Sequence, residues 1–226
     1  MVKMKKEKVV ERCHAAPGFT LVELLIGVAI AGIVMGTIYS VYLSQQRSYA
    51  AQVQVTMLEQ KARAALYFLQ RDLSMAGCDP TGKTHARILT ADPDSIRFTE
   101  DLNANADPSE YNEDIAYGLY TSGGVRKLGR KTPFTANNQP VAEQVDALDF
   151  VYLDATGAPL TAPVSDPSRI RSVQITVVVR GESADPQFSN TTIYRNQEGN
   201  VIFGPVNDHF RRRSMTTQVL CRNLAF

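Results

Sequence analysis

The sequence predicts an α+β protein: a long N-terminal helix, membrane-embedded in its first half and amphipathic in its second, packed on a C-terminal antiparallel β-sheet. Three observations carry this. The run Gly18 to Leu43 (GFTLVELLIGVAIAGIVMGTIYSVYL) is apolar or small apart from one charge, Glu23. No proline interrupts the stretch between Pro17 and Pro80, whose second half repeats apolar residues every three or four positions. From Arg87 onward the chain changes to short alternating segments divided by turn residues. The chain has 226 residues. Once the span and what precedes it are set aside, roughly 180 remain, enough for one well-buried core.

The first 18 residues read as a basic leader. Lys3, Lys5, Lys6, Lys8 and Arg12 stand against Glu7 and Glu11, a net of +3, while the rest of the chain carries −2 of the overall +1. Basic residues ahead of an apolar run hold the N-terminus in the cytoplasm and send the remainder across the membrane. A net charge so near zero gives no overall bias toward nucleic acid.

Residues 19–43 are long enough to cross a bilayer as a helix. A cleaved secretory signal would have a shorter apolar core followed by a small-residue site. Here the small-residue site, Pro17-Gly18, precedes the run, so the helix is expected to stay. A lone carboxylate in such a helix is costly and reads as functional; snorkelling to the interface is the plainer alternative for Glu23. Gly32 and Gly36, preceded by Gly27 and Ala31 at the same spacing, would let a neighbouring helix approach closely, although glycines are common in membrane helices.

The segment Gly18-Phe19-Thr20-Leu21-Val22-Glu23-Leu24-Leu25-Ile26 resembles the processing site of type IV prepilins and type II secretion pseudopilins. The resemblance implies that a prepilin peptidase cuts after Gly18 and methylates the new N-terminal residue, Phe19. The new amine would lie one helical turn from Glu23, and a buried carboxylate lowers its cost by pairing with such a cation, here from a neighbouring subunit. The remainder of the chain looks most like the W-type minor pilins and the related J-type minor pseudopilins. That likeness rests on residues 63–80, which look like the W-type helix end, and on Thr216 to Leu224, which look like its terminal strand.

Residues 44–77 are expected to continue the helix as its amphipathic half. Val55, Leu58, Ala62, Ala65, Leu66, Leu69, Leu73 and Ala76 form one stripe. Glu59 and Arg63 are spaced for an i,i+4 pair on the other side, and Gly77 followed by Pro80 marks the stop. A kink at Ser40, where many major pilins carry proline, has no support in the sequence.

Residues 78–226 read as an extracytoplasmic β-rich domain of five to seven strands. The expected strands are Ser95–Thr99, Ile115–Tyr120 and Val125–Leu128 joined as a hairpin, Ala147–Asp154, Arg169–Arg180 and Met215–Leu224. Residues 181–208, rich in Asn, Gly, Pro and Ser, read as a long loop or hairpin on the exposed face.

Cys13 leaves with the leader, and the even pair Cys78 and Cys221 in an oxidising compartment is expected to form a disulfide rather than two buried thiols. In the loop Asp101 to Asp114, Asp101, Asn103, Asn105 and Asp107 alternate like the oxygen ligands of an EF-hand calcium loop. Ala106 stands where such loops need glycine, and Asn112 where they need a bidentate acid, with Glu113 one residue late. A solvated acidic loop is therefore the better reading, although calcium, if it binds anywhere, binds here. Arg211-Arg212-Arg213 reads as a solvated connection or a contact for DNA or lipid headgroups. His85 and His209 have no partner at metal spacing, and no catalytic residue set is readable, so an enzyme is not expected.

The expected function is that of a processed minor pilin that helps start type IV pilus assembly. Its partners would be the prepilin peptidase, other minor and major pilins, the inner-membrane assembly platform and membrane lipid. It would sit as a single-pass inner-membrane protein with a periplasmic domain before entering a pilus. A pseudopilin of a type II secretion system, or a pilus-tip adhesin or DNA-binding module, are the alternatives.

Overall fold

The computed structural model describes residues 18–133, 135 and 137–224; the basic leader and Cys13 lie outside them. A single α-helix, α1, runs from Leu21 to Met75. The chain divides into two compact units, Met1–Ala50 and Ala51–Phe226.

In the first unit the described residues are the helix start and the helix itself. Every side chain from Gly18 to Ala50 is exposed except the half-buried Leu43. Among the described residues one helix is long and apolar enough to cross a membrane, and it is this one. An apolar surface of this extent with nothing packed on it belongs in lipid or against other helices.

In the second unit the helix buries a stripe: Leu58, Ala62, Ala65, Leu66, Leu69, Asp72, Leu73 and Ala76. The steps of three and four are those of one helix face, and each buried leucine contributes about 1.5–3 kcal/mol by leaving water. Val55, expected on this stripe, is exposed, because the inward face begins one turn later at Leu58. Glu59 does not pair with Arg63; it reaches Arg213 at 3.1 Å.

The helix stops at Gly77, whose φ of +79° is the left-handed end that favours glycine. Its amide donates to the Thr99 carbonyl at 2.9 Å, so the stop is also a junction with the sheet. A β-carbon here would collide with the Leu224 side chain. Beyond it, Asp79 gathers the amides of Lys83, Thr84 and His85 at 3.3, 3.0 and 2.9 Å. Burial pushes the Asp79 carboxyl up, and these hydrogen bonds outweigh it, holding it at about 2.

The β structure is not the single sheet expected. Five strands form an antiparallel meander: β1 (Ile88–Ala91), β2 (Ser95–Thr99), β3 (Asp114–Ser122), β4 (Val125–Lys131) and β5 (Gln139–Glu143). A second sheet has the order β11-β8-β6-β7, from β6 (Val145–Leu153), β7 (Pro159–Leu160), β8 (Ser172–Arg180) and β11 (Arg212–Leu220). A small hairpin, β9 (Tyr194–Arg195) with β10 (Val201–Phe203), lies within the segment expected as a long loop or hairpin. The chain changes sheets at Gln144, which takes a φ of 59° between β5 and β6. Residues 167–169 form a short 3-10 turn instead of opening β8, and β11 ends at Leu220 with a second 3-10 turn at Arg222–Leu224.

One core joins the helix stripe to both sheets, through Ile96, Phe98, Ile115, Tyr117 and Leu128 of the first and Phe150, Tyr152, Val173, Ile175, Val177, Val179 and Val219 of the second. Tyr152 donates its hydroxyl to the Asp92 carbonyl at 2.8 Å, tying the sheets together. Alternation along β8 turns Val178 to the opposite face, where with Ala147 and Tyr194 it forms a second cluster covered by Ile202 and Phe203. The 181–208 segment therefore closes the outer face of the second sheet. Asn190 pins it from a buried position, donating to the Tyr194 hydroxyl and the Phe210 carbonyl at 3.1 and 3.0 Å.

The expected disulfide is not formed: Cys78 and Cys221 are free thiols. Cys221 is buried in the main apolar core, while Cys78 is half-buried in an acidic surrounding of Glu100, Asp101 and Asp79. Burial pushes the Cys221 thiol up to about 12; burial and then those carboxylates raise Cys78. Neither is poised as the thiolate that disulfide exchange needs.

Candidate functional site

The helix start is built from Thr20 and Glu23. The Thr20 hydroxyl accepts from the Glu23 amide at 3.2 Å. Glu23 Oε2 in turn accepts from the Thr20 amide and from its hydroxyl, both at 2.9 Å. This is a reciprocal capping box, in which two amides that lack intrahelical partners are satisfied. Thr-x-x-Glu is its sequence signature, and it lies inside the segment singled out for processing. Only one carboxylate oxygen is used: among the described residues Glu23 Oε1 accepts no hydrogen bond. Gly18 and Phe19 precede the helix, with Phe19 fully presented at 89% exposure. Gly27, Gly32 and Gly36 lie within α1, and a β-carbon added at any of them would meet nothing. The site is therefore an open helix with a capped, acid-bearing start and unobstructed small residues beyond it.

The other residues singled out from sequence fall elsewhere. Asn103, Asn105 and Asp107 are on the exposed rim of a loop whose base holds Asp101 at 0% exposure. Among the described residues no three His, Cys, Asp or Glu side chains converge to hold a metal ion. Arg211 to Arg213 are not a free basic patch. Arg211 pairs with Asp185 at 2.7 Å and lies over the Phe188 ring. Arg212 is buried between Asp146 and Asp208 at 2.5 and 2.6 Å, and Arg213 pairs with Glu59. With each guanidinium given a carboxylate, the surface that a DNA-binding reading needed is neutralised.

Sequence reasoning missed a polar centre between the helix and the first sheet. Asp72, 5% exposed on the buried stripe, accepts from the Tyr117 hydroxyl at 2.7 Å, Arg130 Nε at 2.7 Å and Arg71 Nε at 2.8 Å. Burial pushes its carboxyl up, and the bonds from Arg130, Tyr117 and Arg71 outweigh that and hold it below the usual range. Beside it Glu100 is driven the other way, to about 7, by burial and then by the Asp72 charge, with Arg130 opposing. Arg71, Asp72, Glu100 and Arg130 line an open cleft together with apolar side chains such as Phe68 and Leu102. An acid on a leucine stripe was the available signal, but its partners lie 45 and 58 residues away in sequence.

A long membrane-competent helix with a capped acid at its start, whose second half packs on an antiparallel β domain, is a pilin-like arrangement. Residues 14–39 match the family described as the prokaryotic N-terminal methylation motif, and residues 115–223 match Type IV Pilus-assembly protein W. The second match makes this part of the chain similar to the W-type pilus-assembly proteins. It takes in β3 through the terminal turn; residues 63–80 lie outside it. Among solved structures the chain resembles a type IV-like pilin from Thermus thermophilus, at 16% identity and a TM-score of 0.47 over 74% of this chain and 98% of that one. No curated protein matches.

Proposed function

We propose that this chain is a minor pilin, cut after Gly18 and methylated on Phe19, that helps prime type IV pilus assembly from the inner membrane. The observation that carries the reading is the helix start: the methylation motif over residues 14–39 coincides with a capped helix bearing one acid and an uncovered apolar surface. The prepilin peptidase would act at Gly18, and the β domain would lie on the periplasmic side. Other pilins, lipid and the assembly platform would cover the helix. Gly27, Gly32 and Gly36 would face a neighbouring helix, since among the described residues nothing lies within 4 Å of a β-carbon there. The oxygen of Glu23 that Thr20 leaves free would take the amine of a neighbouring subunit.

Two variants separate that role from simple capping. Gln serves in a capping box as well as Glu, so Glu23→Gln keeps the cap and removes the charge, whereas Thr20→Ala removes the cap and keeps the charge. The proposal expects Glu23→Gln to be processed normally and to fail in complementing surface piliation, with Thr20→Ala largely competent. The opposite ranking would reduce Glu23 to a capping residue. The mature mass should be that of a chain starting at methylated Phe19. Deleting the chain should reduce surface pili and leave secreted enzymes unchanged; loss of secretion instead would move it to a pseudopilus.

A further inference from the structure

We propose that the loop Asp101–Glu113 is a calcium site with a floor of two buried carboxylates and a rim of asparagine oxygens. Asp101 and Glu113 are 0% and 2% exposed, and neither takes part in an ion pair among the described residues. Each uses one oxygen to shape the loop. Asp101 Oδ2 accepts from the Ala106 amide at 3.2 Å, and Glu113 Oε1 from the Leu102 and Asn103 amides at 2.9 and 3.3 Å. The second oxygen of each, Asp101 Oδ1 and Glu113 Oε2, is buried with no hydrogen-bond partner. An ionised oxygen in that position is strongly unfavourable unless a cation or a proton meets it.

Both sequence objections to calcium lose their force in the folded loop. Ala106 stands where glycine is expected, yet it takes the required turn, with a φ of 70°. Glu113 is one residue late, yet its carboxylate reaches back over the loop to the Leu102 and Asn103 amides. The main chain ties the base of the loop, with the Glu100 amide donating to the Glu113 carbonyl at 2.8 Å. Asn103 Oδ1 and Asn105 Oδ1 each accept one amide, from Asn105 and Asp107, at 2.9 and 2.8 Å. An amide oxygen has two lone pairs, so each keeps one for a metal. Asp107 Oδ1 is taken by the Ser109 amide and hydroxyl, which leaves its main-chain carbonyl as the donor that calcium loops use at this position. The set comprises two carboxylates with neutral oxygens rather than three converging acidic side chains. An all-oxygen set on a partly exposed loop favours calcium over magnesium, which demands tight octahedral geometry.

The test uses the full chain in detergent micelles. Terbium luminescence should rise saturably and be displaced by calcium chloride but not by equal magnesium chloride. Moving from EGTA to calcium at 100 times half-saturation should raise the melting temperature by roughly 5–10 °C. Asp101→Asn should abolish the response. Should that variant fail to fold in EGTA, Asn105→Ala, altered on the exposed rim, should still weaken calcium by at least about tenfold. Equal melting temperatures in EGTA and calcium overturn the proposal, as does an unchanged response in Asn105→Ala.

Discussion

Replacing Asp72 by alanine should loosen the helix from the first sheet, and the size of the effect follows from its three partners. The Arg71 side chain is 53% exposed, so solvent takes over that bond at little cost. Arg130 is different: its side chain is 12% exposed, and without Asp72 it is a buried cation with no carboxylate in contact. Breaking such a pair by removing one member costs about 3–5 kcal/mol. The orphaned Tyr117 hydroxyl falls within the same figure, because the three bonds form one network and do not add. At about 2–4 °C per kcal/mol for a unit of this size, the melting temperature should fall by about 6–20 °C. Urea unfolding of the full chain in micelles, followed by far-UV circular dichroism, would show a lower midpoint at unchanged slope. Converting both partners, as in Asp72→Leu with Arg130→Met, should recover most of the loss, since an apolar pair often matches a buried ion pair. A loss below about 1 kcal/mol for Asp72→Ala, or a double variant as weak as the summed singles, would refute the assignment of Asp72 as the fastening between helix and sheet.

Other consequences are simpler. Gly77→Ala should cost about 2–4 kcal/mol, from the left-handed backbone and the collision with Leu224; a change under about 0.5 kcal/mol would show that the helix end repacks freely. The Asp72 carboxyl is held below its ordinary 3.8, so the folded state binds fewer protons there than the unfolded chain. Its stabilisation is full above that value and lost as pH falls through the folded value. The gap in melting temperature between the native chain and Asp72→Asn should therefore close as the pH is lowered below the ordinary carboxyl value; a gap that stays constant as the protein is acidified would contradict this. For the cysteines, alkylation of the native protein at about pH 8 should be slow at Cys78 and undetectable at Cys221, with both fast in urea. Peptide mapping that recovers a Cys78–Cys221 crosslink from the unreduced protein would contradict the free thiols.

What was legible in the sequence was local. The helix reads directly from the apolar run, the absence of proline to Pro80 and the three-and-four spacing to Ala76. The hairpin around Gly123-Gly124 reads from its turn residues, and β8 from its alternation. What escaped depended on partners distant in the chain. β5 carries Pro140, a residue that argues against a strand, and is tolerated where the β4–β5 register slips between Leu128 and Gly129. The division into two sheets turns on Gln144, an ordinary residue in an unusual backbone state. Arg211 to Arg213 read as free charge because Asp185, Asp146, Asp208 and Glu59 are gathered only by folding. The alternation of Asp101, Asn103, Asn105 and Asp107 was visible, whereas the burial of Asp101 and Glu113 beneath it was not.

The helix start shows where the two kinds of information meet. Read as sequence, Glu23 is an acid in an apolar helix that needs a partner. In the structure it already has one, because Thr20 satisfies Oε2 and Glu23 satisfies Thr20. These roles do not compete. A capping box needs one carboxylate oxygen, and an incoming amine needs one. The cap also fixes the χ angles of Glu23 before any neighbour arrives, which lowers the entropy cost of forming an intersubunit pair. Cutting after Gly18 would leave Thr20 and Glu23 untouched while creating the amine on Phe19. Thr20 and Glu23 can thus cap the helix and, under the proposed function, present an oriented acid to the next subunit.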